Sequence, residues 1–177
     1  MLLIDSVMKN QPCYDKDGNF LGWFSRSVAV LAVVFGYDND YNCYVLASQR
    51  GPGTPDPEFV GSWNCCCGYL DFDESTEQAA IRETFEETGI NLSDSSISIT
   101  DMGWIDDPKA DKRQNISHRF LVILPKTIDK YEFSKKNNEK DEVGEIKWIP
   151  VSEVDNYKWA FGHDIIIKQF YMKVKYS

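Results

Sequence analysis

Residues Gly68 to Ile90 read GYLDFDESTEQAAIRETFEETGI, a loop, one helix and a stop. Ser75 followed by Gln78 forms a capping box, which starts the helix near Thr76. Gly89 after Thr88 is a C-terminal stop signal. At about 100° of turn per residue, Ile81 and Phe85 share one face with Thr84 and Thr88, which predicts that face as the buried one. Glu83, Glu86 and Glu87 crowd the opposite face, with Arg82 beside them and four residues before Glu86.

The acids are placed where a helix built only for stability would not put them. Carboxylates three and four apart repel by a few tenths of a kcal/mol per pair. The helix dipole also disfavours negative charge in the last turns. A solvated acidic face is the bland reading in a chain of net charge −9. The wrong-end placement favours a different one: clustered carboxylates without matching cations suit a hard divalent ion such as Mg²⁺, which completes its shell with water and phosphate oxygens.

The same residues fill a family pattern. Gly68, Glu74, Arg82, Glu83, Glu86, Glu87, Gly89 and Ile90 occupy the fixed positions of the Nudix box, G-x5-E-x7-R-E-U-x-E-E-x-G-U. Thr84 stands where an aliphatic residue is usual. The chain therefore resembles Nudix hydrolases. The resemblance implies an α/β (α+β) domain of Nudix type, an α/β/α sandwich with a mixed central sheet, the loop-helix-loop and a C-terminal helix. It implies Mg²⁺-dependent pyrophosphohydrolysis of a nucleoside diphosphate derivative, with Mn²⁺ as a substitute and two or more ions bound. It further implies Gly68, Glu83, Glu86 and Glu87 as metal ligands, Arg82 as the group that holds the carboxylates, and Glu87, Glu142 or Glu145 as the general base.

Composition sets the outer bounds. The chain has 177 residues, 42% hydrophobic and 14% aromatic, enough for one domain with a full core. The domain is expected to take in the whole chain, with residues 1–27 as a strand or hairpin extension. No apolar run approaches the roughly 18 residues that span a membrane. The start MLLIDSVMKN is not expected to be a signal peptide, because Asp5 interrupts the apolar run. Five cysteines, three of them consecutive (Cys65, Cys66, Cys67), do not form a disulfide framework and read as reduced thiols of a cytoplasmic protein. A pI near 4.7 predicts no nucleic-acid partner. With only His118 and His163, a histidine metal site is not expected.

Along the chain, Asp15 to Asn19 is a hairpin turn rather than a calcium loop. Trp23 and Arg26 follow, fit either to stack a base or to pack an edge strand. Val28 to Phe35 is a buried strand, Tyr44 to Ala47 its partner, and Arg50 to Gly61 a Gly/Pro-rich loop that should not be helical. By the resemblance, Arg50 faces substrate phosphate; a solvated arginine is the alternative. Strands are expected at Ser62–Cys67, Ile97–Ile99 with Met102–Ile105, Ile116–Leu124 and Ile146–Ile149, with an amphipathic helix from Asp164.

Asp107-Pro108, Asp111-Lys112-Arg113 and Ile116-Ser117, with Trp159 to Ile166, resemble stretches of the ADP-ribose pyrophosphatase-like group. The proline that marks ADP-ribose enzymes is missing at its usual spacing; Pro108 stands 18 residues after Ile90. ADP-ribose or a related nucleotide sugar is therefore the expected substrate, with Arg50, Arg26, Trp23 and Arg113 contacting it. A homodimer is expected from family habit. Two other readings compete. An isopentenyl diphosphate isomerase-like enzyme is suggested by Phe59-x-Gly61-x-Trp63-Asn64-x-Cys66-Cys67, and opposed by the intact box and scarce histidines. A non-catalytic Nudix-like binding domain would normally lack one of Glu83, Glu86 and Glu87. The short stretch after Phe161 predicts no fused winged-helix module.

Overall fold

A computed structural model describes residues 10–110, 112–135 and 141–176. The opening segment through residue 9, Asp111, and most of the polar KKNNEKDE run lie outside the described residues.

Among the described residues, nine strands and two α-helices follow in order: β1 (Gln11–Tyr14), β2 (Phe20–Phe24), β3 (Val28–Tyr37), β4 (Cys43–Arg50), β5 (Trp63–Asn64), β6 (Cys66–Tyr69), α1 (Thr76–Thr88), β7 (Ser98–Ile105), β8 (Ile116–Ile123), β9 (Val143–Pro150) and α2 (His163–Lys175). Strands β3 to β9 form one sheet in the order β5-β4-β3-β8-β7, with β6 also on β3 and β9 on β4. Only β3 and β8 run parallel among these pairs, which makes the sheet mixed.

Period-two alternation in VAVLAVVF builds the two cores. Val30, Ala32 and Val34 face α1, meeting Ala79, Ala80, Phe120 and Val122. Leu31, Val33 and Phe35 face α2, meeting Ile166, Ile167 and Phe170. Both faces of β3 are thus covered, and the α/β/α sandwich expected from the sequence is present. The consecutive cysteines divide in the same way, Cys66 to the α1 core and Cys65 with Cys67 to the α2 core. All five cysteines are free thiols.

Several local expectations need correction. Phe85 is 42% exposed, and the buried face of α1 is Ala79, Ala80, Thr84 and Thr88. The periodicity identified the right side of the helix but not its centre. Ile165 of α2 lies on the exposed side of that amphipathic helix. The loop after Arg50 contains a 3₁₀ turn at Pro57–Phe59, because Pro57 sits at the first helical position. The β1–β2 hairpin forms its own two-stranded sheet. Asp15 closes its turn by accepting from the backbone N–H groups of Asp17 and Asn19. Trp23 is 64% exposed on this hairpin, not packed at the edge of the main sheet, and stands edge-on to Phe20 at 6.2 Å.

Candidate functional site

Helix α1 is fixed at both ends by its own sequence. Ser75 Oγ accepts from the Gln78 backbone N–H, and Gln78 Oε1 accepts from the Ser75 N–H. Gly89 adopts φ 79°, a left-handed conformation, and its N–H reaches the Phe85 carbonyl at 2.8 Å. Thr84, on the buried face, satisfies its hydroxyl by donating to the Ala80 carbonyl at 2.8 Å. That is how a polar residue is tolerated where an aliphatic one is usual.

The acidic face is not without cations. Arg82 Nε and Nη2 grip the two oxygens of Glu74 at 3.0 and 2.7 Å. Its Nη1 donates to Glu83 at 2.8 Å and to Glu86 at 3.0 Å, and Nη2 also reaches the Tyr69 carbonyl at 2.9 Å. One guanidinium therefore organises three carboxylates and the backbone of the loop before the helix. The expectation of carboxylates lacking a matching cation is corrected on this point. Hydrogen bonding from Arg82 holds the Glu74 carboxyl below the usual carboxylate range.

Glu87 lies differently. Its carboxylate accepts from Ser48 Oγ of β4 at 2.8 Å and from the Cys67 N–H of β6 at 3.3 Å. Burial pushes its pKa up to about 8, opposed by the Ser48 hydrogen bond and aided by the nearby charge of Glu83. Burial raises Glu83 as well, against the pull of Arg82. Gly68 fits here because a Cβ would collide with the Glu83 carboxylate.

The donor set is oxygen only, which suits a hard divalent ion. Among the described residues no three acidic, histidine or cysteine side chains converge closely enough to ligate an ion as they stand. Arg82 instead spans Glu83 and Glu86, and the Glu86 side chain, 43% exposed, has room to turn. Two raised carboxyls beside a third are the electrostatic deficit that a cation relieves. Glu83, Glu86 and Glu87, with the Gly68 carbonyl, fit such an ion in chemistry.

The remaining expected residues are scattered. Glu142 is exposed, and its backbone carbonyl accepts from Gly51 N–H. Glu145 is exposed beside Lys147, 3.4 Å away. Arg26 spends its guanidinium on the backbone carbonyls of Asp106, Gln114 and Asn115, so it anchors that loop instead of facing a ligand. Trp23 stays on the outer hairpin.

Arg50 and Arg113 do come together. Both pair with Asp56, one with each carboxylate oxygen, and both lie over the Phe161 ring, at 5.1 and 5.5 Å. Asp56 and Ser48 carried no sequence signal, because their partners come from distant strands and loops. Phe161 was visible only as part of a family-like stretch.

Neither histidine is placed as a metal ligand. His163 Nδ1 accepts from the Cys65 N–H at 3.1 Å in a buried position. His118 bridges Thr76 Oγ1 and Asp101 Oδ1, both at 2.8 Å, and stacks on Trp104 at 3.9 Å.

Comparison with known proteins places this geometry. A family model described as the NUDIX domain matches residues 25–170. The NUDIX domain of Shewanella oneidensis NrtR, crystallised with ADP ribose, has 24% identity and a TM-score of 0.69, over 91% of this chain and 94% of that one. The Francisella tularensis bifunctional NMN adenylyltransferase/ADP ribose pyrophosphatase, complexed with AMP and a Mn ion, has 27% identity and a TM-score of 0.61, over 84% of this chain but 42% of its own. Shewanella oneidensis NrtR complexed with a 27mer DNA has 24% identity and a TM-score of 0.60, over 83% of this chain and 61% of its own. With its box helix, its mixed sandwich and a family match over most of its length, the chain belongs to the NUDIX domain family.

Proposed function

We propose that this protein hydrolyses the diphosphate of a nucleoside diphosphate derivative, ADP-ribose or a related nucleotide sugar, with Mg²⁺ as its ion and Mn²⁺ as a substitute. The observation that carries the reading is the carboxylate group on α1, with Glu83 and Glu86 held on one Arg82 nitrogen and Glu87 buried against Ser48. Relatives of similar fold crystallised with ADP ribose and with AMP and a Mn ion support the substrate class.

Water must reach a phosphorus ringed by negative oxygens, with cleavage of the P–O–P bridge. Two or more divalent ions held by Glu83, Glu86, Glu87 and the Gly68 carbonyl would neutralise that charge and lower the pKa of a bound water. Arg82 keeps Glu83 and Glu86 in register without touching substrate, and Glu74 keeps Arg82 in place. Arg50 and Arg113 bind phosphate beside this group. Glu87 is the base candidate within the box; burial and Glu83 raise its pKa in the ion-free protein, and an ion held beside it would reverse that shift and leave the carboxylate as acceptor. Glu142, whose backbone carbonyl accepts from Gly51 N–H, and Glu145, within β9, remain alternatives as base.

The isomerase-like reading is weaker. Burial raises the Cys65, Cys66 and Cys67 thiols, so none is a ready thiolate, and both histidines are engaged elsewhere. Free thiols fit a reducing, cytoplasmic setting. The exposed Tyr14, Phe20, Leu21, Trp23 and Phe24 of the hairpin offer a surface for a homodimer. A small-molecule partner, not DNA, is the one this acidic chain suits.

The test is a panel of nucleoside diphosphate derivatives with Mg²⁺, read by product identity. Release of AMP and ribose 5-phosphate from ADP-ribose supports the reading. Turnover of isopentenyl diphosphate alone, or binding of ADP-ribose without products, overturns it.

A further inference from the structure

The loop Gly51–Gly61 places a carboxylate where the proposed phosphate-binding arginines meet. Asp56 is 9% exposed. Its Oδ2 lies 3.1 Å from Arg50 Nη2, and its Oδ1 contacts Arg113 Nη2. Arg50 thus receives a single Asp56 oxygen, although the fork of an arginine matches two. Arg50 Nη2 also contacts Thr54 Oγ1, while Arg50 Nε is buried with no hydrogen-bond partner among the described residues. A buried N–H without an acceptor is costly, so the Arg50 guanidinium is incompletely satisfied as it stands.

One aromatic ring outside this loop is shared by the two arginines. Phe161 lies under both, is backed by Phe59 at 4.5 Å, and adopts φ 57°, a left-handed conformation uncommon for a side chain of its size. Arg113 is pushed down from its ordinary value by burial and by Arg50, which marks two like charges kept close. Arg50 acts electrostatically on Glu87, so the pair borders the box. The near end of the loop is tied to the segment before β9 through backbone bonds, Gly51 N–H to the Glu142 carbonyl and Gly53 N–H to the Asp141 carbonyl.

We propose that Asp56 is a displaceable internal anion: it occupies the Arg50–Arg113 site in the resting protein, and a phosphate of the substrate binds by driving it out and freeing the Gly51–Gly61 loop. A phosphoryl group supplies more oxygens than one carboxylate and offers an acceptor to Arg50 Nε. The inference rests on the diphosphate reading above, and its test uses neither turnover nor a metal ion.

Calorimetric titration of the whole protein with inorganic pyrophosphate in excess EDTA compares the natural chain with Asp56→Asn. Loss of the competing charge is expected to tighten pyrophosphate binding about tenfold. Unchanged or weaker binding in a folded Asp56→Asn protein, checked by near-UV circular dichroism, would instead make Asp56 a support for the arginines and overturn the proposal. A second measurement needs no mutation. Cleavage after Glu58 of the same loop by a glutamate-specific protease, in EDTA, should speed up several-fold when pyrophosphate is added. Slower or unchanged cleavage contradicts displacement. Failure of the substrate panel with success here would leave the anion site in place and remove only the assigned substrate.

Discussion

Arg82 and Glu74 form a two-pronged ion pair across eight residues, Nε to Oε2 at 3.0 Å and Nη2 to Oε1 at 2.7 Å. It fastens the loop before α1 to the helix and leaves Arg82 Nη1 to serve Glu83 and Glu86. Lysine keeps the charge but loses the fork. Arg82→Lys is therefore expected to lower kcat by about 10- to 100-fold, the usual effect of losing a partner that orients ligands, while KM changes less. Steady-state kinetics alongside circular dichroism check this; an equal rise in KM with kcat intact would place Arg82 on substrate instead.

Glu87 predicts proton release on ion binding. With a pKa of about 8 in the ion-free protein, it is mostly protonated at pH 7. A divalent ion requires the carboxylate, so binding should release close to one proton at pH 7 and progressively fewer as pH rises through 8. Calorimetry of Mg²⁺ binding in buffers of different ionisation enthalpy counts the protons. In chelator, the same raised pKa makes Glu87 cost stability as pH climbs from its ordinary 4.5 toward 8, since the unfolded chain gives up the proton first.

His163 works in the opposite direction. Burial, with Arg119 and Arg50 nearby, lowers its pKa from 6.5 to about 3. The unfolded chain takes up a proton below pH 6.5 and the folded one does not, so this contribution is complete above 6.5 and is lost as pH falls toward 3. Each pH unit in that window costs about 1.4 kcal/mol. Urea unfolding at pH 7 and pH 5.5 should show the loss, and His163→Asn should flatten it.

Thr84 predicts a mild outcome. Its hydroxyl returns a hydrogen bond to Ala80 within the helix, a contact that adds little to stability. Thr84→Val, nearly the same shape, should change unfolding free energy by less than about 1 kcal/mol and leave turnover intact. A larger loss in urea melts would mean the hydroxyl has a further partner.

The sequence displayed whatever rests on neighbours along the chain. Ser75 with Gln78 and the left-handed Gly89 marked both ends of α1, and the alternation in β3 marked the sandwich, because capping and periodicity are local. Phe85 was misplaced because a side chain at the margin of an apolar stripe reads like one at its centre. Arg26 looked like a ligand contact, yet its three carbonyl partners lie 80 to 89 residues away. Asp56 and Ser48 gave no signal for the same reason: their roles exist only once β4, β8 and their loops are assembled. The spacing of Arg82 from Glu86 and Glu74 marks it as the group that holds carboxylates, as the structure has it, whereas its bond to the Tyr69 carbonyl exists only once the loop folds back.

The most direct measurement is turnover of ADP-ribose with Mg²⁺ by the natural chain, Glu86→Gln and Glu87→Gln, each verified as folded. The account predicts AMP and ribose 5-phosphate from the natural chain, and a loss of at least about 100-fold in both variants. Full turnover in both would contradict the carboxylate cluster on α1 as the catalytic centre.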